Sequence, residues 1–198
     1  MPLVFYRDKA CLYIHVPKTG GSSIEAHLRQ HGRVFLHSHG PAELMRTTGQ
    51  HFHATDLNAI FRAEDLDYVF MTVRHPIDRI VSEYRWRERN IPFALWLRVV
   101  RLESWRKPHY RDNHFRPQSQ FECLGAEIFR LEDGLGPCFE ALERRIGMPA
   151  PATVPLANLS RTRRVKPSKS EINFIVKWYA SDFERFGYRV DEALCLNQ

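Results

Sequence analysis

A lysine, two glycines and three hydroxyl side chains stand together near the start of the chain. Residues 17–23 read Pro-Lys-Thr-Gly-Gly-Ser-Ser and follow an apolar run. Glycines let the backbone approach an anion, the first-turn N–H groups of a following helix point toward it, and a lysine adds positive charge. The segment therefore predicts an anion cradle built from Pro17, Lys18, Thr19, Gly20, Gly21, Ser22 and Ser23.

The order of the residues in this cradle argues against one large class of nucleotide-binding proteins. In the pattern GxxxxGK[ST] the lysine follows the glycines, whereas Lys18 precedes Gly20 and Gly21. A nucleoside-triphosphatase loop of that kind is therefore a poor match. A simple glycine turn with a surface lysine remains an alternative.

A second apolar run leads into a second predicted helix. Arg74 comes directly after residues 68–73, and Pro76 then suits the first turn of a helix. In that helix the apolar side chains recur at helical spacing, so Ser82 lies off the core-facing stripe and is free for another role. A salt bridge from Arg74 to Asp78 and a plain surface hydroxyl at Ser82 are the structural interpretations of these two residues.

Strands that alternate with helices must position these groups. The patterns predict strands over residues 11–16, 68–73 and 126–131, and helices from a Ser22 or Ser23 cap to about residue 32, from Pro76, and over 93–105, 134–146 and 170–179. This alternation indicates an α/β fold with a mostly parallel sheet and a ligand at the strand ends. With 198 residues, one domain over residues 1–198 is expected.

The cradle and the second strand–helix segment both resemble motifs of the sulfotransferases that use 3′-phosphoadenosine 5′-phosphosulfate (PAPS). Residues 14–23 are similar to that family's 5′-phosphosulfate loop, and residues 73–84 to its 3′-phosphate motif, VRxPxxRxxSxY. Weaker similarity covers residues 112–118, 128–132 and 179–188. The branch that the chain most resembles contains carbohydrate sulfotransferases such as the heparan sulfate 2-O and chondroitin enzymes.

The resemblance implies a P-loop-like three-layer domain that transfers a sulfuryl group from PAPS and releases 3′,5′-diphosphoadenosine (PAP). Lys18 would offset the charge that develops on the leaving phosphate, and Arg74 and Ser82 would bind the 3′-phosphate. No metal would be required. The acceptor would carry a hydroxyl or an amine and would be a carbohydrate or a small metabolite. The sequence leaves the acceptor and the oligomeric state open.

An acceptor hydroxyl also needs a base, and the unperturbed pKa of histidine, about 6.5, suits that role. His51 and His53 are two residues apart, so in an extended segment both would face one cleft. The resemblance favours His53 as the base, with His51 orienting or replacing it, and Glu25 is held in reserve. Solvated loop histidines remain the alternative, as does a metal site formed together with His37 and His39.

Further contacts are predicted from the remaining motifs. Arg116 and Gln118 would bind cofactor or acceptor, unless Pro117 merely holds a structural loop. A basic loop over residues 161–169 carries five Lys or Arg and no acid, and related sulfotransferases place such a loop over the nucleotide. Arg164 and Lys166 are therefore candidate cofactor contacts, with a solvated charge run as the alternative.

Composition limits the remaining classes of function. The chain carries 29 Lys and Arg against 23 Asp and Glu, a net charge of +6, which predicts an anionic partner. No nucleic-acid-binding signature, signal peptide or membrane span is visible, and four scattered cysteines suit free thiols in a reducing compartment, so a cytoplasmic location is expected. An ATP-dependent small-molecule kinase and a non-catalytic phosphonucleotide-binding protein remain the alternative functions.

Overall fold

A five-stranded sheet forms the centre of the computed structural model, which describes residues 2–37, 46–87, 90–153 and 165–196. The strands are β1 (Leu3–Tyr6), β2 (Lys9–Ile14), β3 (Arg33–Phe35), β4 (Tyr68–Val73) and β5 (Glu127–Arg130), in the order β3-β1-β2-β4-β5. The helices are α1 (Gly21–His31), α2 (Ala54–Ile60), α3 (Pro76–Arg87), α4 (Phe93–Arg106), α5 (Gly136–Ile146), α6 (Lys169–Trp178) and α7 (Ala180–Phe186).

The central strands run parallel and bring two loops to the same edge of the sheet. β4 pairs in parallel with β2 on one side and with β5 on the other, whereas β1 pairs antiparallel with β2 and β3. All six residues of β4 are buried, as expected for a strand covered on both faces. The segments that follow Ile14 and Val73 therefore leave the sheet side by side.

Apolar clusters cover both faces of the sheet. Tyr13 and Phe70 pack with α1 and α5 on one face, whereas Leu12 and Met71 pack with residues 121–128 and 183–188 on the other. A third cluster joins α3, α4 and α6. The predicted mixed α/β architecture with a mostly parallel centre is confirmed.

Several elements differ from the sequence prediction. β1, β3, α2 and α7 were not predicted, because two are strands of three or four residues and two are helices of seven. The expected Ser22 or Ser23 cap is wrong, since α1 begins at Gly21 and Gly20 is its N-cap in the left-handed conformation. A left-handed cap favours glycine over a serine, which explains the difference.

Two global features bear on the sequence expectations. None of the described helices is long and apolar enough to span a membrane. All four cysteines, Cys11, Cys123, Cys138 and Cys195, are unpaired, which confirms the prediction of free thiols.

Candidate active site

The loop between β2 and α1 has a conformation that depends on its glycines. Lys18 and Gly20 both have positive φ angles, 70° and 89°. A Cβ atom at Gly21 would lie 2.2 Å from Nε2 of His15, so no side chain fits there without displacing that imidazole. The backbone of this loop is therefore held in a tight turn that opens onto the first N–H groups of α1, the geometry that favours an anion.

Buried hydroxyls hold the loop from below. The Thr19 hydroxyl donates to the Val16 carbonyl at 2.8 Å and lies 2.9 Å from the Thr72 hydroxyl, which in turn lies 2.7 Å from that of Tyr13. Thr19 is fully buried. The structure corrects the expectation that this hydroxyl binds phosphate: it is committed to the sheet, and Thr19 has only its backbone N–H to offer. Of the two serines, Ser22 is exposed and Ser23 is buried.

A buried arginine on α3 fixes the loop from the side. Arg79 donates from Nε to the Pro17 carbonyl at 3.0 Å, from Nη1 to the Arg116 carbonyl at 3.0 Å and from Nη2 to the His114 carbonyl at 2.9 Å. Its guanidinium thus joins the loop to the segment that carries His114. Sequence reasoning missed this role, although a second arginine in a buried-strand-to-helix motif is a usable signal.

Lys18 projects from the loop without a counter-ion. No carboxylate lies within 4 Å of its ammonium among the described residues. Its nitrogen lies 4.7 Å from the centroid of the Trp86 ring. Burial lowers the pKa of Lys18, Glu83 opposes that shift, and the positive charge of Arg74 adds to it. An anion that entered this loop would relieve the shortage of negative charge.

Arg74 is held by its backbone rather than by a salt bridge. The Gln118 amide accepts from the Arg74 N–H at 2.9 Å and donates to the Arg74 carbonyl at 2.8 Å, and the Arg74 guanidinium donates to the Lys18 carbonyl at 3.4 Å. The alternative salt bridge to Asp78 does not form, because that carboxylate accepts from the backbone N–H groups of residues 194 and 195, each at 2.8 Å. Burial lowers the pKa of Arg74, with Asp78 opposing it.

Gln118 has a different position from the one predicted. Its side chain is fully buried, so the expectation that it contacts a ligand is corrected: it orients Arg74 instead. The backbone of residues 118 and 119 is in turn held by both carboxylate oxygens of Asp182, at 2.9 Å each. Ser82 lies partly buried on α3, and within the described residues its hydroxyl makes no hydrogen bond, so it is available to a ligand.

The imidazoles of His15, His51 and His114 form a row next to the loop, and each pairs with a different carboxylate. The ring centroid of His51 lies 5.1 Å from that of His15 and 4.9 Å from that of His114, edge to face in both cases. The Nδ1–carboxylate pairs are His15–Glu25 at 2.5 Å, His51–Asp112 at 2.6 Å and His114–Glu83 at 3.0 Å. Sequence reasoning missed His15 and His114, although both stand inside the quoted motifs.

Burial governs the charge of this row. It lowers the pKa of His51 to about 4, with the hydrogen bond to Asp112 opposing the shift. Burial opposes ionisation of Asp112, but the hydrogen bonds from His51 and Thr48 outweigh it and lower the pKa of the carboxyl to about 2. At neutral pH His51 is therefore a neutral imidazole whose Nδ1–H donates to Asp112, which leaves Nε2 as a proton acceptor.

Glu25, the reserve base, is also part of the row. Burial raises its pKa, but hydrogen bonds from His15 and Gln50 outweigh this effect and lower it to about 2. The Gln50 amide donates to both carboxylate oxygens, at 2.9 and 3.1 Å, and His37 lies 3.0 Å away. A carboxylate so well solvated by the protein is a weak base.

His53 diverges from His51, so the expectation that both face one cleft is wrong. Residues 49–51 form a short 3₁₀ turn and His53 is the N-cap of α2, so the segment is not extended. The His53 imidazole pairs through Nδ1 with Asp56 and lies edge to face with His109 at 5.8 Å. Both line a cavity of about 550 Å³, whose other lining residues are Arg46, Thr47, Phe52, Thr55, Asp56, Pro108 and Arg116.

Arg116 lines the same cavity. Its guanidinium donates to Asn113 Oδ1 at 3.1 Å, Gln120 Oε1 at 2.8 Å and the Pro108 carbonyl at 2.8 Å, all neutral acceptors. Burial lowers its pKa. Its predicted role in ligand binding therefore stays a prediction with a structural setting that suits an anionic or hydroxylated group.

Two predicted contacts and one alternative remain to be placed. Lys166 is exposed, and Arg164 lies outside the described residues. His39, part of the alternative metal site, also lies outside them. Within the described ranges, no three His, Cys, Asp or Glu side chains are arranged to hold a metal ion.

A comparison with protein families decides the class of this site. The model of the group described as "Sulfotransferase family" matches residues 2–189. The chain belongs to the sulfotransferase family. The match includes the loop after β2, α3 and the histidine row, so this sulfotransferase-family chain is a transferase whose described site residues all lie inside the family region. No curated protein and no solved structure shows a significant match to it.

Proposed function

We propose that this protein transfers a sulfuryl group from PAPS to a hydroxyl acceptor. The observation that carries the proposal is that two elements, each of which is a candidate for binding an anion, meet at one edge of the sheet. The loop before α1 and the start of α3 follow the adjacent parallel strands β2 and β4. They are tied to each other by the contacts of Arg74 with Lys18 and of Arg79 with Pro17.

The two elements fit the two phosphate ends of the nucleotide. Backbone N–H groups at the start of α1, together with Lys18, would bind the 5′-phosphosulfate, because a helix N-terminus and a lysine both favour negative charge. Arg74 and Ser82 would bind the 3′-phosphate. Neither Lys18 nor Arg74 has a carboxylate within 4 Å in the described part of the chain, so phosphate would not compete with an existing ion pair.

The histidine row would supply the base. The acceptor oxygen attacks sulfur, the bond between sulfur and the bridging 5′-phosphate oxygen breaks with its electron pair retained on PAP, and the acceptor proton passes to Nε2 of His51. His51 is favoured over His53 because Asp112 orients its imidazole and because it lies beside His114, which in turn stacks on the Trp86 ring that contacts Lys18. Lys18 would offset the charge on the leaving oxygen.

The acceptor would bind in the cavity at His53 and extend from there to His51, two residues earlier in the chain. That cavity is lined mainly by polar side chains, among them His53, Asp56, His109 and Arg116, which suits a hydroxyl-rich molecule such as a saccharide or a small metabolite. We also propose a cytoplasmic location, which the four unpaired thiols support.

Nucleotide preference tests the proposal directly. PAP should raise the unfolding temperature more than ADP with Mg²⁺ does, because a ligand that binds only the native state stabilises it by mass action. Radiolabelled PAPS offered with a panel of saccharide and small-metabolite hydroxyls should then give a labelled product. Equal or greater stabilisation by ADP would favour a kinase, and binding of PAP without transfer to any acceptor would favour a non-catalytic nucleotide-binding protein.

A further inference from the structure

Trp86 is an exposed aromatic residue surrounded by the charged groups of the site. Its side chain is 57% exposed. The Lys18 ammonium lies 4.7 Å from its ring centroid and the Arg87 guanidinium 4.4 Å. The His114 ring stacks on it at 5.7 Å with an interplanar angle of 11°. An indole with these neighbours is part of the wall of the site rather than of a core.

Among the described residues, the Trp86 ring is the group that the Lys18 ammonium contacts. Glu83, the acid that acts most strongly on Lys18, accepts hydrogen bonds from His114 and Arg87 and is almost fully buried. No hydrogen bond of the Lys18 ammonium occurs within the described residues. A cation over an indole face is attracted by the ring quadrupole. The cation–π contact is therefore what restrains the Lys18 ammonium before an anion binds.

Trp86 also shares a helix face with a predicted nucleotide contact. Ser82 and Trp86 are four residues apart on α3, the spacing that brings side chains together on one face. The ring that contacts Lys18 therefore belongs to the face of α3 that is proposed to bind the nucleotide. An unrestrained lysine would sample many rotamers and would lose this freedom only on reaching the transition state.

We propose that Trp86 is a positioning residue for Lys18. Its indole holds the ammonium at the loop in the absence of nucleotide, so that Lys18 is already in place when charge develops on the leaving phosphate oxygen. This inference rests on the proposed function. It predicts that loss of the ring slows transfer of the sulfuryl group and leaves the binding of PAP unchanged, because backbone N–H groups, Arg74 and Ser82 still hold the nucleotide.

The test measures single-turnover conversion of PAPS to PAP, with water as the common acceptor, and stabilisation by PAP. For Trp86→Leu we expect a 5- to 30-fold slower conversion, about the range of a desolvated cation–π contact, with the thermal shift by PAP preserved. Trp86→Phe should recover part of the rate, since its ring still attracts a cation. Trp105→Leu, at a 73% exposed tryptophan of α4, is the matched control and should behave as the wild type.

A double-mutant cycle separates the effect of Trp86 on Lys18 from its effects on Arg87 and His114, the other two neighbours of the ring. If Trp86 acts through Lys18, Trp86→Leu should have no further effect on the rate in a Lys18→Met background. A persistent loss there would show that the ring acts through His114 or Arg87 and would overturn the inference, as would an unchanged rate for Trp86→Leu. Failure of the proposed function would look different: the wild type itself would not be stabilised by PAP or would not convert PAPS.

Discussion

Two regions of the molecule contain several cationic side chains, which are buried and fixed in one region and exposed in the other. The candidate active site places Lys18 and Arg74 at the carboxyl ends of β2 and β4, and no carboxylate of the described residues lies within 4 Å of either cation. At the other end of α1 lies a second cavity of about 550 Å³, similar in volume to the cavity at His53, which we call the arginine groove. It is lined by Phe5, Arg7, Arg29, Gln30, His31, Gly32 and Arg33.

The two regions differ in how deeply their cations are buried and in how firmly hydrogen bonds orient them. In the arginine groove the three guanidiniums are exposed, and the contact of Arg29 with Glu25, at 3.7 Å, is the one ion pair among them in the described residues. In the site Arg79 is 3% exposed, and each nitrogen of its guanidinium donates a hydrogen bond to a backbone carbonyl. Cations that are desolvated and fixed can favour one transition state, whereas exposed ones give a diffuse field. Net charge alone would rank the two regions equally.

The largest contrast should appear in stability. Arg79→Met would leave one buried and two partly buried carbonyls without their donor, so we expect a loss of about 3–5 kcal/mol in the free energy of unfolding. Arg33→Met in the arginine groove removes an exposed cation and should change it by less than about 0.5 kcal/mol. Urea denaturation measures both. Similar values for the two variants would show that the site does not depend on its buried cation.

The next contrast concerns catalysis. Lys18→Met should slow transfer from PAPS by about 10²–10³-fold, the effect of removing one preorganised group that stabilises transition-state charge. Arg7→Met, at the opposite end of α1, should leave the rate unchanged. Radiolabel transfer to any acceptor found in the panel measures both. A rate for Lys18→Met close to that of the wild type would exclude Lys18 from the chemical step.

The third contrast concerns pH, because buried ionisable groups belong to the site and not to the groove. The pKa of His51 is lowered to about 4 in the folded protein, so between pH 6.5 and 4 the unfolded chain binds more protons and stability falls as pH falls. We expect about 3 kcal/mol from this group. The pKa values of Glu25, Glu83 and Asp112 are lowered to about 2, so their contribution is lost on further acidification.

His51→Gln tests this directly. Denaturation at a series of pH values should show that the variant loses the His51 part of the slope between pH 6.5 and 4, whereas the part that comes from His15 and His114, whose pKa values burial also lowers, and the acid-induced loss below pH 4 remain. A slope equal to that of the wild type would mean that His51 does not carry the effect. If His51 is also the base, the transfer rate of the wild type should stay high through neutral pH and decline only near pH 4.

The smallest contrast concerns two glycines, each at the start of a helix. Gly21→Ala would place a methyl group against the His15 imidazole, which is held by Glu25, and should cost about 1–3 kcal/mol of stability and weaken PAP binding. Nothing lies within 4 Å of a Cβ at Gly136, so Gly136→Ala should be neutral or slightly stabilising. Thermal unfolding with and without PAP compares them, and equal effects would argue against a tight fit at Gly21.

The sequence carried enough information for the strands that are buried on both faces and for the two anion motifs. β4 and the start of α3 were predicted at their observed bounds, because continuous burial and helical spacing leave clear patterns. Side-chain direction was less accessible. The orientation of Thr19 depends on Thr72, 53 residues away, and that of Gln118 on Arg74, 44 residues away, and long-range hydrogen bonds leave no local pattern.

The histidine row shows the same limit. His51 and His53 were singled out by their spacing, but a short turn and an N-cap send them in different directions. His15 and His114 meet His51 only through tertiary structure. Residue type therefore identified the chemistry, whereas the selection of partners required the fold.

Through the carboxylates of Asp182 and Asp78, the candidate site depends on residues that are translated after the rest of it. Asp182 holds the backbone beside Gln118, which holds Arg74, and Asp78 receives the backbone N–H groups of residues 194 and 195. A nascent chain that has emerged from the ribosome only as far as α6 already contains the loop after β2 and the start of α3, but it lacks Asp182 and the backbone N–H groups that Asp78 binds. We expect such a chain to bind nucleotide more weakly, so affinity for PAP would rise only after residues 182–195 have emerged.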